Sequence, residues 1–203
     1  MSRLVIYIHG KGGNAKEAEH YKSLFPENDV IGFDYRSQNP WEAKGEFSDF
    51  YDKVTKEYDS VSVIANSIGA FFAIVSLADK KIKRAFFISP IVNMKKLIQD
   101  MMIWAGVTTE ELQKKGEITT DFGERLSWKY YSYVCENSIK WNIPTHILYG
   151  EKDHMTSRET ITAFAKEMGA SLTIMPDGEH WFHTEKQMEF LDKWITDCDS
   201  GEK

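Results

Sequence analysis

The residue with the clearest chemical potential is Ser67, in Ala65-Asn66-Ser67-Ile68-Gly69. This pentapeptide follows the apolar run Val61-Ser62-Val63-Ile64 and precedes Gly69-Ala70-Phe71-Phe72-Ala73-Ile74-Val75. The order reads as a strand, a turn too tight for large side chains, and a buried helix. A serine at such a turn presents its hydroxyl at the carboxyl edge of a sheet. Ala65 and Gly69 keep the flanking positions small, so strand and helix can approach closely. The amide of Ile68 opens the helix and can face a developing anion. The chemistry implied is nucleophilic, and a serine hydroxyl needs an adjacent base to act at neutral pH. The plainer reading is a serine that only caps the helix behind it. The pentapeptide alone leaves both open.

The elements that must position this serine follow from hydrophobic periodicity. Strands are expected over residues 4–8, 30–33, 61–65, 84–88, 146–149 and 172–175. Helices are expected over 15–24, 41–58, the segment behind Ser67, and 185–196, with a frayed tail at 197–203. Pro40 suits the start of the second helix. Ser89-Pro90 stops the fourth strand, Gly150 the fifth, and Pro176-Asp177-Gly178 follows the sixth. Such alternation implies an α/β fold, a three-layer doubly wound sheet of about six mainly parallel strands. Residues 91–143 break the rhythm. No strand is expected there, and helical segments lie near 94–105, 109–115 and 124–137, carrying Trp104, Trp128 and Trp141. Residues 1–203 read as one domain with that helical insertion inside it.

Ala65-Asn66-Ser67-Ile68-Gly69 resembles the nucleophile elbow of the α/β-hydrolase family, G-x-S-x-G, with alanine for the first glycine. That family places an acid after the fifth strand of this chain, where Leu148-Tyr149-Gly150-Glu151-Lys152-Asp153-His154 offers a strand and then Gly-x-x-Asp. It places a base before the closing helix, where Asp177-Gly178-Glu179-His180-Trp181-Phe182 stands. The resemblance implies Ser67 as nucleophile, His180 as general base and acid, and Asp153 as the group orienting it. The order Ser67, Asp153, His180 is the family's order. His9-Gly10-Lys11-Gly12-Gly13 resembles the family's oxyanion loop, which implies the amides of Lys11 and Ile68 as the hole and His9 as structural. The resemblance further implies that residues 91–143 form a cap on the catalytic edge. Trp104, Trp128 and Trp181 then become candidates for the substrate pocket, although the cap tryptophans also serve as plain core for a helical subdomain. His183 is expected at the start of the closing helix and His154 beside the site as a bystander. The Lys11 side chain either attracts an anionic substrate or is simply solvated. The likeness runs from Leu4 to the closing helix, and the two antiparallel strands that usually begin the fold are missing.

Composition removes other classes. A net charge of -6 and a pI near 5.6 argue against a general nucleic-acid binder. Cys135 and Cys198 lie far apart without metal spacing and read as free thiols in a reducing compartment. The histidines show no ligand spacing either, so no metal and no other cofactor is expected. The apolar run at the N-terminus is too short for a signal h-region. No run approaches the roughly 20 residues that cross a bilayer. A cytoplasmic protein with no membrane or nucleic-acid partner is expected. Its expected activity is that of a serine hydrolase, carboxylesterase by default, cleaving a small, partly apolar ester or thioester through an acyl-enzyme. Two alternatives remain. One is a non-catalytic small-molecule-binding protein on the same fold. The other is a dinucleotide-binding oxidoreductase, because Gly10, Gly12 and Ala15 fit G-x-G-x-x-A and Asp34 ends the next strand. That second pattern leaves Ser67, Asp153 and His180 unexplained.

Overall fold

The computed structural model describes residues 2–201. In chain order the elements are β1 (Arg3–Ile8), α1 (Ala18–Tyr21), β2 (Asp29–Phe33), α2 (Pro40–Val54), β3 (Ser60–Asn66), α3 (Ile68–Leu77) and β4 (Arg84–Ile88). There follow α4 (Met94–Trp104), α5 (Thr109–Lys115), β5 (Glu117–Thr119), β6 (Arg125–Ser127) and α6 (Trp128–Glu136). The chain closes with β7 (Thr145–Gly150), α7 (Arg158–Met168), β8 (Ser171–Met175) and α8 (Glu185–Ser200). A 3-10 turn, Ala15–Glu17, precedes α1.

Six strands form one parallel sheet in the order β2-β1-β3-β4-β7-β8. Leu4, Val5, Ile6, Tyr7 and Ile8 are each at most 1% exposed. A strand buried at every position needs helices on both faces of its sheet. On one face Val5, Tyr7, Ile64, Phe86 and Leu148 share a core with Tyr21 of α1 and Leu191 and Trp194 of α8. On the other, Gly69 of α3 lies against Ile8, and Phe47 of α2 meets Phe72 of α3 at 6.0 Å between ring centroids. The result is a three-layer α/β architecture. The strand order reverses between β1 and β3. In such sheets the crevice outside the carboxyl ends at the reversal is the natural place for a site.

The chain divides into two compact units. One contains the six-stranded sheet, and the other is Asn93–Ile139. In the second unit, Asn93, Thr108 and Ser127 cap α4, α5 and α6 with side-chain oxygens. Leu112 and Leu126 are among its buried side chains.

Several elements depart from the periodicity. The helix expected over 15–24 is a 3-10 turn and a single helical turn, after which turns closed by the Leu24 and Phe25 N–H groups on Tyr21 O carry the chain onward. The helix expected to reach residue 58 stops at Val54, and a turn closed by Tyr58 N–H to Thr55 O at 3.1 Å replaces its end. Residues 91–143 do contain strands: β5 and β6 pair antiparallel, each three residues long, too short for alternation to register. The helix expected from residue 124 therefore starts at Trp128. Helix α7 is capped by Ser157 and ended by Gly169 at φ 64°. Helix α8 runs to Ser200, past the expected end at 196. Residues 202–203 of the expected frayed tail lie outside the described residues.

Phe86 is fully buried on β4, with Phe25 and Trp194 each 6.0 Å away in edge contact. Phe86→Ala should lower unfolding stability by about 3–5 kcal/mol, read as a fall in the urea midpoint.

Candidate active site

β3 and α3 meet with no loop between them except Ser67. Its backbone sits at φ 50°, ψ -120°, the conformation of the first central residue of a type II′ turn, which favours glycine. The turn is held from the neighbouring strand. Ser67 N–H donates to Ile88 O at 3.0 Å, while its carbonyl accepts from Ala70 N at 3.2 Å and Ile91 N at 3.1 Å. The Ser67 side chain makes no helix-capping bond, so the plainer reading of this serine as a cap does not describe it. Ala65 is fully buried, which explains why that position is small. The loop after β1 crosses directly over the serine: a Cβ at Gly10 would lie 3.2 Å from Ser67 Cβ.

Two further loops converge on the hydroxyl. The backbone at Gly150, where β7 ends, has no room for a side chain, since a Cβ would lie 2.4 Å from Glu179 O and 2.6 Å from Gly178 O. Lys152 N–H donates to Gly178 O at 2.8 Å. This contact locks the loop after β7 to the loop after β8, and these loops carry Asp153 and His180. Ser67 Oγ lies 2.9 Å from His180 Nε2. His180 Nδ1 lies 2.7 Å from Asp153 Oδ2. The Asp153 side chain is fully buried. Its Oδ1 accepts from Met155 N at 2.7 Å and Thr156 N at 3.1 Å, so Asp153 is both a turn residue and the partner of the imidazole.

A cavity of about 920 Å³ opens above the serine. Its apolar lining includes Tyr21, Ile88, Phe182, Met188 and Leu191. Of the candidate pocket tryptophans, Trp181 lines it. Trp104 and Trp128 belong to the second unit, where Trp104 is exposed beside Phe122 and Trp128 packs near Tyr131. Lys11 and His154 also line the cavity, and the His154 ring is 6.4 Å from that of His180. His183 does not start the closing helix. It precedes the cap Thr184, stacked on Trp181 at 4.3 Å, because the capping box of Thr184 and Gln187 starts α8 at Glu185. His9 stacks on Tyr35 at 4.3 Å. Among the described residues no group of three or more His, Cys, Asp or Glu could hold a metal ion.

No family model and no curated protein matches the sequence. Solved structures do. Est1E from Butyrivibrio proteoclasticus is similar with a TM-score of 0.78 at 16% identity, over 98% of this chain and 87% of its own. Alpha/beta hydrolase domain-containing protein 10 from mouse gives 0.76 at 15% identity, over 98% and 90%. A carboxylesterase from Bacillus subtilis gives 0.64 at 13% identity, over 100% and 85%. The chain has the α/β-hydrolase fold. Its version of that fold has a sheet of six strands, all parallel.

Sequence reasoning passed over Tyr7, Glu17 and Asn66, which all line the cavity. The one signal for Glu17 was its spacing from Asn14, the capping-box interval.

Holding a side chain at this φ and ψ stores about 1–3 kcal/mol. Ser67→Gly should therefore unfold at higher urea than Ser67→Ala, by an amount equal to about 1 kcal/mol or more.

Proposed function

We propose that the protein is a serine hydrolase that cleaves a small, partly apolar carboxylic ester or thioester. The observation that carries this reading is the unbroken path from Ser67 Oγ to His180 Nε2 at 2.9 Å and from His180 Nδ1 to Asp153 Oδ2 at 2.7 Å. With both amides on Oδ1, Asp153 has Oδ2 left to accept the Nδ1 proton. That fixes the imidazole tautomer with its Nε2 lone pair toward the serine. As Oγ attacks the carbonyl carbon, His180 takes the hydroxyl proton, and Asp153 stabilises the imidazolium. The carbonyl oxygen becomes an oxyanion and accepts from the amides of Lys11 and Ile68. Each such donor contributes about 2.7–4 kcal/mol to the transition state. His180 then gives its proton to the departing alkoxide or thiolate, leaving an acyl-enzyme. Water, deprotonated by the same imidazole, releases the acid and restores Ser67.

The apolar lining by Ile88, Phe182, Met188 and Leu191 supports a substrate with a hydrocarbon or aryl portion. Structural neighbours that are esterases and hydrolases agree with this reading. The dinucleotide alternative loses support at the same place. Residues 10–13 close a turn against Ser67. Behind them stand only a 3-10 turn and a four-residue helix, so no long helix points its N-terminus at a pyrophosphate. Two free cysteines suit action in a reducing cytoplasm. Among the described residues no helix is long and apolar enough to cross a membrane.

A fluorophosphonate probe should label the wild-type protein once, at Ser67, and should not label Ser67→Ala. Asp153→Asn should lower kcat on p-nitrophenyl acetate by roughly 10⁴-fold. Absence of labelling in the wild type would overturn the reading.

A further inference from the structure

Beneath the serine runs a hydrogen-bonded chain made of residues outside the proposed machinery. Tyr7 is 1% exposed, on β1. Its hydroxyl donates to Glu17 Oε2 and accepts from Asn66 Nδ2 at 2.9 Å. Asn66 is the residue immediately before Ser67. The other oxygen of Glu17, Oε1, accepts from the Asn14 N–H at 3.1 Å. The carboxylate also packs on the glycine loop, since a Cβ at Gly13 would lie 2.8 Å from Oε1 and 3.0 Å from Oε2. That loop is closed by Gly13 N–H to Gly10 O at 3.2 Å, contains Lys11, and touches Ser67 through Gly10. The chain Asn66–Tyr7–Glu17–Asn14 thus ties the serine turn to the loop carrying the Lys11 amide.

The donors and acceptors leave one arrangement. Tyr7 has one proton to give, and the Asn66 amide already donates to its oxygen. Its proton therefore goes to Glu17, and the Asn14 N–H goes to the second carboxylate oxygen. Both oxygens of residue 17 must accept. A glutamine supplies one acceptor and one donor, so its amide must oppose either the Tyr7 hydroxyl or the Asn14 N–H. Burial, with Tyr21 and Glu17 adding, pushes the Tyr7 hydroxyl far above its ordinary pKa, so it remains a donor at any working pH.

We propose that Glu17 and Tyr7 are positioning residues, which hold the Lys11 amide and the Ser67 hydroxyl at the separation that the oxyanion-forming step requires. This rests on the serine-hydrolase reading. A misplacement of about 1 Å in such a site costs on the order of 100-fold in rate. A capping glutamate with no other duty would change stability alone.

The test uses Glu17→Gln, Tyr7→Phe and the double variant of the full chain. Glu17 is exposed and Phe keeps the buried ring, so folding is checked by thermal melting. With a p-nitrophenyl ester, each single variant should lose roughly 10- to 100-fold in kcat with KM within about twofold of wild type. The inhibition constant of an aryl trifluoromethyl ketone, which adds to serine as a tetrahedral oxyanion, should rise by the factor that kcat falls. The double variant should be no slower than the slower single, because one chain is broken twice. Unchanged kcat, or losses that multiply, would overturn the positioning role while fluorophosphonate labelling of the wild type left the hydrolase reading standing. Amide hydrogen exchange at residues 11–13 decides the structural part without any activity. Faster exchange in both single variants supports it, and wild-type exchange overturns it.

Discussion

The structure depends on keeping one residue, Ser67, in a backbone conformation that its side chain disfavours. At φ 50° and ψ -120° the residue costs about 1–3 kcal/mol, and such strain persists only where the surroundings over-determine it. They do so through parallel pairing. Asn66 is in register with Ile88, which puts the Ile88 carbonyl where the Ser67 amide needs an acceptor. The Ser67 carbonyl then takes two amides from the chain beyond β4 and in α3. A helix starting at Ile68 with eight buried residues cannot swing away to relax the turn without exposing apolar surface. The hydroxyl is consequently pushed out over the sheet edge, instead of folding back as a cap.

The same edge explains why residues far apart in the chain meet. Parallel strands all end on one side, so the loops after β1, β3, β7 and β8 are neighbours whatever their separation in sequence. Proximity in that plane still leaves several ångströms to specify, and backbone contact supplies them. Gly150 against Gly178 and Glu179 sets the distance between the loops bearing Asp153 and His180. Gly10 against Ser67 sets the height of the loop after β1. Exposed ion pairs in the same loops, such as Lys152 with Asp177 at 2.7 Å, are screened by water and contribute little. The precision comes from excluded volume, and the buried Asp153–His180 pair inherits it.

These contacts also explain what the sequence makes legible. Ser67 stands out because a small-residue turn between an apolar run and a buried helix has a local signature. The six strands of the sheet stand out because strands buried on both faces are continuous apolar runs, as in Leu4 to Ile8. Asp153 and His180 need the resemblance, since Gly-x-x-Asp and a histidine after a turn are each common alone. The hairpin β5–β6 is invisible because three-residue strands carry no period. Helix α1 is shorter than the pattern suggests because apolar spacing continues through Leu24 while the backbone passes into turns after Tyr21. Tyr7 is hidden for another reason. As a large residue in a buried strand it reads as core, and it is core. Its function in the hydrogen-bonded chain depends on one hydroxyl, which no pattern of hydrophobicity records.

Several buried polar groups stand around Ser67 at the carboxyl edge of the sheet. His9 Nε2, Asn66 Oδ1 and Ser89 Oγ are buried without a hydrogen-bond partner among the described residues. A buried polar group left without any partner, water included, costs about 1–3 kcal/mol. They follow or end β1, β3 and β4, adjacent strands in the sheet, and Ser89 is itself at φ 42°. Together with Ser67 they bring strained backbone and buried polar atoms together at the carboxyl ends of these strands. At the opposite ends of the same strands the backbone has no residue with positive φ. A chain that needed only to fold would gain by replacing these side chains with apolar ones of similar shape. Their placement beside Ser67 fits a site in which polar atoms are fixed in advance of the ligand, so that little reorganisation remains when charge develops on it.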